Sequence, residues 1–129
     1  MKYLGIDYGT KHIGLSMSND DGNMAFPVEK MSNDKDLLGN IKALITDKKI
    51  GGVVIGESKD FAGKENEVME EARAFARALE AETGLVVSFE PEFLTSVEAR
   101  HIQGGSDKTH SSAAAIILQS FLDRTKNNN

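Results

Sequence analysis

Hydrophobic and polar positions run in short blocks through the first quarter of the chain. Lys2–Ile6 and Ile13–Ser18 read as strands, and Tyr8-Gly9-Thr10-Lys11 between them holds a glycine able to supply the positive φ of a tight reversal, so the two are expected to pair as a hairpin. Asn23–Lys30 follows the turn-rich Ser18-Asn19-Asp20-Asp21-Gly22 and predicts a third, weaker strand, with Pro27 marking an edge or an irregularity. The period then changes. Asp34–Lys48 sets Leu37, Leu38, Ile41, Leu44 and Ile45 on one helical face, with Ser32 or Asn33 as cap. Gly52–Ile55 is a β-branched apolar run ending at Gly56, which predicts a buried strand opening into a polar loop from Glu57 to Lys64. Glu65–Glu82 predicts a second helix, with Val68, Ala72, Phe75, Ala76 and Leu79 inward and Gly84 as its stop. Leu85–Phe89 reads as a strand ended by Glu90-Pro91, and Ser96–Gln103 as a short helix. After a loop at Gly104–Lys108 comes a last helix over Ser111–Arg124, whose Ala113-Ala114-Ala115 start would let it lie close on a sheet, and Lys126–Asn129 reads as a frayed tail.

This order is a hairpin meander followed by strands with helical crossovers, and such crossovers make parallel, right-handed connections. It predicts an α/β fold of ribonuclease H-like layout, a mixed five-stranded sheet flanked by helices, as one domain over residues 1–125. A purely parallel Rossmann domain is the competitor, but the opening hairpin and the missing G-x-G-x-x-G after the first strand count against it.

A length of 129 residues leaves no room for a separate substrate domain. No run approaches the roughly 20 apolar residues of a bilayer crossing, and no apolar stretch at the N-terminus suggests a signal peptide, so the expected location is cytoplasmic. With no cysteine, thiolate metal sites and cysteine nucleophiles are excluded. His12, His101 and His110 are the only nitrogen ligands, so a metal would be held mainly by oxygen, which favours Mg²⁺ or Mn²⁺. The net charge of −5 argues by itself against a nucleic-acid partner. Glu57–Glu82, however, carries eight acidic and four basic residues and so holds most of that excess, which leaves a local basic strip open elsewhere.

Asp7 interrupts an otherwise apolar strand, and a carboxylate on a rigid strand beside glycine turns is placed to ligate a metal; taken alone it reads more readily as a turn cap. Glu92 follows the last strand, and in a parallel sheet ligand-facing groups collect at carboxyl ends, although Glu90 or Glu98 could be mistaken for it. His110 sits just before the last helix, where the positive end of the helix dipole keeps an imidazole neutral, as a metal ligand must be; Asp107 could join from the loop, and Thr109 or Ser111 is the more ordinary cap. Thr10, Lys11, His12, Lys59, Lys64, Arg100 and Lys108 lie in or near loops expected on the same edge, where they could position phosphates.

Four segments carry a resemblance across nearly the whole chain. Gly5-Ile6-Asp7-Tyr8-Gly9-Thr10-Lys11-His12-Ile13-Gly14, Val53-Val54-Ile55-Gly56, Glu92-Phe93-Leu94-Thr95-Ser96-Val97-Glu98-Ala99 and Ser112-Ala113-Ala114-Ala115-Ile116-Ile117-Leu118-Gln119-Ser120-Phe121-Leu122 resemble the YqgF (RuvX) family, described as Holliday-junction-resolvase-like proteins or nucleases that mature the small-subunit ribosomal RNA precursor. The resemblance implies a divalent-metal-dependent phosphodiesterase in which Asp7 and Glu92 are metal ligands and catalytic. The family's third acid falls at His110, which could still coordinate with one less negative charge. Two further departures are Pro91-Glu92-Phe93 in place of Asp-Glu-Arg, and Glu57–Lys64 in place of a Leu-Pro loop.

Three classes therefore stand side by side. The first is an endonuclease acting on structured RNA or branched DNA, with Asp7, Glu92 and His110 around Mg²⁺ or Mn²⁺. The second is a non-catalytic RNA-binding ribosome-assembly factor that has lost its third carboxylate. The third is a nucleotide phosphotransferase, since Asp-x-Gly-Thr also resembles a kinase phosphate loop, but that architecture needs two such domains. The chain is expected to be a monomer or a weak homodimer.

Overall fold

The N-terminal alternation becomes an antiparallel meander, and the later apolar runs become parallel strands joined through helices. A computed structural model of the chain describes residues 1–57, 67–91 and 109–127, with side chains in the last segment described for 113–125. The elements are β1 (Tyr3–Tyr8), β2 (His12–Ser18), β3 (Ala25–Ser32), α1 (Leu37–Lys48), β4 (Gly52–Glu57), α2 (Glu67–Thr83), β5 (Val87–Pro91) and α3 (Thr109–Asn127). They form one five-stranded sheet in the order β3-β2-β1-β4-β5. β1 pairs antiparallel with β2 and β2 with β3, whereas β1–β4 and β4–β5 are parallel, which is the mixed sheet the pattern predicts.

Side chains alternate across the sheet and divide the core in two. Leu4, Ile6, Ile13, Leu15, Val53 and Ile55 pack against Leu37, Ile41 and Ile45 of α1 and Met69, Ala72, Ala76 and Leu79 of α2. On the other face Val54 packs against Ile117, Leu118, Phe121 and Leu122 of α3. This second face is made of small residues where α3 crosses it. A Cβ on Gly5 would stand 2.2 Å from Ser16 Oγ and 2.8 Å from Leu118 Cβ, and Ser16 Oγ donates a buried 2.7 Å hydrogen bond to the Ala114 carbonyl. The alanine-rich start of α3 thus lies close on the sheet, as its composition predicts.

Several local expectations are corrected. The β1–β2 reversal does not use a left-handed glycine: among the described glycines positive φ occurs at Gly22 and Gly84. Asn33 braces the reversal instead, donating its side-chain amide to the Gly9 carbonyl at 2.8 Å and its N–H to the Lys11 carbonyl at 2.9 Å. Neither Asn33 nor Ser32 therefore caps α1, which starts after Asp36 without a side-chain cap bond, in a turn where Asp34 Oδ1 accepts the Asp36 N–H. α2 ends as predicted, with Gly84 at φ 74° donating to the Glu80 carbonyl at 2.9 Å, but its buried stripe includes Met69. β5 starts two residues later than expected and continues through Pro91, which an edge strand tolerates because a ladder donor can be missing there. α3 begins at Thr109 and runs to Asn127, into the segment read as a tail. The expected helix over 96–103 and the loop at 104–108 lie outside the described residues, as does most of the loop after Glu57.

Candidate functional site

The parallel strands β1, β4 and β5 end on one edge at Tyr8, Glu57 and Pro91. Asp7 lies one residue short of that edge. Leu4 and Ile6 belong to the core under α1 and α2, so Asp7, like Gly5, belongs to the α3 face, and it is 9% exposed. Its neighbours in the sheet carry no side chains. Gly14 is its partner on β2, and the Ile6–Ile55 pairing brings Gly56 alongside on β4. Glycines on both flanks let a ligand approach both the carboxylate and the strand backbone.

Helix α3 runs antiparallel to β1, since Ala114 packs over Gly5 while Phe121 meets Tyr3 edge-on with ring centroids 5.5 Å apart. Position 110 is one turn N-terminal to Ala114, a rise of about 5.4 Å. Asp7 is two residues beyond Gly5, roughly 6.6 Å along the strand. The backbone therefore brings position 110 level with Asp7, in phase with the buried stripe Ala113, Ala114 and Ile117. His110 is thus inside the first turn of α3 rather than before it, and Ser111 lies within the helix and is not its cap. Glu92 is the residue after Pro91, at the carboxyl end of β5. Glu92, Lys59, Lys64, Arg100 and Lys108 lie outside the described residues, as do Glu98, His101 and Asp107. Thr10, Lys11 and His12 are exposed at the β1–β2 turn beside Asp7. Among the described residues no three of His, Asp and Glu gather closely enough to hold a metal.

Two carboxylates near this edge are already engaged. Glu90 is 4% exposed; Arg124 donates to its Oε1 from both Nε, at 3.1 Å, and Nη2, and Ser120 Oγ donates to Oε2 at 2.9 Å. The hydrogen bond and charge of Glu90 hold the Arg124 guanidinium above its ordinary range. Glu90 ties α3 to β5, which separates it from Glu92. Glu57 belongs to the opposite face, where Arg73 Nη2 binds it at 3.0 Å while the guanidinium lies 4.6 Å from the centre of the Phe89 ring. A cleft of about 310 Å³ lined by Met1, Tyr3, Asp21, Gly22, Asn23, Leu122 and Thr125 opens at the amino end of β1, remote from Asp7. Sequence reasoning missed the two flanking glycines as part of the site; their position within two residues of a strand end was the available signal.

Among solved structures, Thermus thermophilus RuvC in complex with a Holliday junction substrate superposes with a TM-score of 0.67 at 17% identity, covering 98% of this chain and 96% of that one. The fowlpox virus Holliday junction resolvase gives 0.59 at 13% identity, covering 96% and 99%. These likenesses show the ribonuclease H-like fold. In sequence, proteins named "Putative pre-16S rRNA nuclease" from Maridesulfovibrio salexigens and Dictyoglomus thermophilum are 33% and 31% identical, covering 96% and 95% of this chain and 99% and 96% of their own length. The family described as "RuvX: Holliday junction resolvase" matches residues 1–124, so the chain belongs to the RuvX family.

Proposed function

We propose that the protein is a divalent-metal-dependent endonuclease that hydrolyses phosphodiester bonds in structured nucleic acid, with the 5′ region of precursor 16S ribosomal RNA as its substrate. The observation that carries this reading is Asp7, a nearly buried carboxylate between two glycines on the carboxyl edge of the sheet, level with position 110 of α3. That donor fits Mg²⁺ or Mn²⁺, which take hard oxygen ligands. Glu92 supplies a second carboxylate and His110 a nitrogen ligand. Metal held by these residues would activate water and stabilise the leaving oxygen of an in-line displacement. The chain's own part is positional. β1 fixes the Asp7 carboxylate, α3 carries position 110 in its first turn, and Lys11 and His12 hold the phosphate backbone beside the edge. The names of the curated relatives favour the ribosomal RNA precursor over a four-way DNA junction.

Histidine at the third ligand position also favours a second reading, an RNA-binding assembly factor without catalysis. Cleavage of both nucleic acids in Mg²⁺ or Mn²⁺ separates the two. The nuclease cleaves, Asp7→Asn and Glu92→Gln each abolish cleavage while remaining folded, and His110→Asp keeps or raises it. An Asp7→Asn protein that cleaves at the wild-type rate refutes the mechanism, and RNA binding equally tight without metal and without cleavage supports the assembly factor.

A further inference from the structure

The sheet row through Asp7 reads Lys30, Gly14, Asp7, Gly56, Glu90 from β3 to β5. Its two ends differ electrically. Glu90 is neutralised by Arg124. At the other end Lys30 is exposed, two strand spacings or about 9.5 Å from Asp7 measured between backbones. Five of the ten cations with described side chains, Lys2, Lys42, Lys48, Arg73 and Arg124, are engaged by carboxylates. Lys30 and Lys11 have no such partner among the described residues, and both flank Asp7 on the β2–β3 side.

A β-bulge decides which residue holds this place. Ser16 pairs with Pro27, but Leu15 pairs with Glu29, so Val28 is the extra residue. Were pairing to continue regularly from Ser16–Pro27, with Val28 opposite Leu15, Gly14 would face Glu29, and Lys30 would fall on the opposite face. Bulges near active sites commonly re-aim a side chain. Here the bulge exchanges a carboxylate for an ammonium in the row of Asp7.

Resting on the nuclease reading, we propose that Lys30 is a phosphate-binding residue, and that the substrate backbone leaves the Asp7 edge over β2 and β3 rather than over β4 and β5. Lys30 and Lys11 would grip phosphates next to the scissile one on the same strand. The test measures binding of the full chain, with Ca²⁺ in place of Mg²⁺, to a fluorescein-labelled RNA stem with a single-stranded 5′ extension and to a labelled four-way DNA junction. Losing one phosphate contact flattens the slope of log affinity against log salt by about 0.7–0.9, which is roughly five- to eightfold in affinity at 0.1 M salt. Lys30→Ala should show that loss, whereas Lys49→Ala, at the far edge of the sheet, should not. The double variant Glu29→Lys/Lys30→Glu keeps net charge and should lose at least as much as Lys30→Ala. Wild-type affinity in Lys30→Ala or in the double variant, each with unchanged circular dichroism, overturns the assignment while leaving the nuclease reading intact. Failure of the wild-type chain to bind either probe overturns both.

Discussion

Replacing Gly5 with alanine tests the close docking of α3 that brings position 110 level with Asp7. The new Cβ would stand 2.2 Å from Ser16 Oγ, 2.8 Å from Leu118 Cβ and 3.0 Å from the Ala114 carbonyl oxygen. Carbon atoms pack best at about 3.5–4.0 Å, so the helix must lift by close to 1 Å along its buried stripe. Overpacking of this kind costs roughly 1–3 kcal/mol. The lift also breaks the Ser16–Ala114 hydrogen bond, worth about 1 kcal/mol. The expected destabilisation is therefore about 2–4 kcal/mol. With a urea m-value of about 1.5 kcal/mol/M, the unfolding midpoint falls by roughly 1.3–2.7 M at unchanged m. Ser16→Ala removes the closest clashing atom, so it should cost about 1 kcal/mol alone but recover part of the loss in the Gly5→Ala background, a coupling a double-mutant cycle reads directly. A Gly5→Ala midpoint equal to wild type, or strictly additive single effects, would refute this account of the packing.

Three other outcomes follow from particular contacts. Lys49, at φ 56°, closes α1 in the left-handed region while Ile50 donates to the Ile45 carbonyl, so Lys49→Gly should stabilise by about 0.5–1 kcal/mol in the same urea titration. Arg124→Ala leaves the buried Glu90 with Ser120 as its side-chain partner among the described residues and should cost about 1–3 kcal/mol, seen as a lower thermal midpoint, whereas Arg77→Ala on the exposed side of α2 should leave it unchanged. Chelating divalent metal should stop cleavage and restoring Mg²⁺ or Mn²⁺ should return it, with circular dichroism constant throughout, because the two described cores are built from protein side chains that need no metal to pack.

The elements legible in the sequence were those whose signal is local. The β1–β2 alternation, the Leu37–Ile45 stripe and the Gly84 stop each arise from neighbouring residues, and each appears where expected. What escaped depends on partners far along the chain. Asn33 reads as a helix cap until its amide meets Gly9, 24 residues earlier. The bulge at Leu15–Ser16 leaves no trace in β3 alone, yet it decides whether Glu29 or Lys30 shares the row of Asp7. Spacing could not separate Glu90 from Glu92; Ser120 and Arg124, 30 and 34 residues onward, remove Glu90 by binding it. Asp7 stood out because a carboxylate in an apolar strand is conspicuous, while the weight on His110 came from family resemblance.

The central claim concerns one shared cation, and anomalous scattering from a crystal of the full chain grown in Mn²⁺ measures it directly. The account predicts a manganese peak within about 2–2.3 Å of an Asp7 carboxylate oxygen, with Glu92 and His110 in the same coordination sphere. Manganese bound elsewhere, or a peak at Asp7 that neither Glu92 nor His110 reaches, would contradict it.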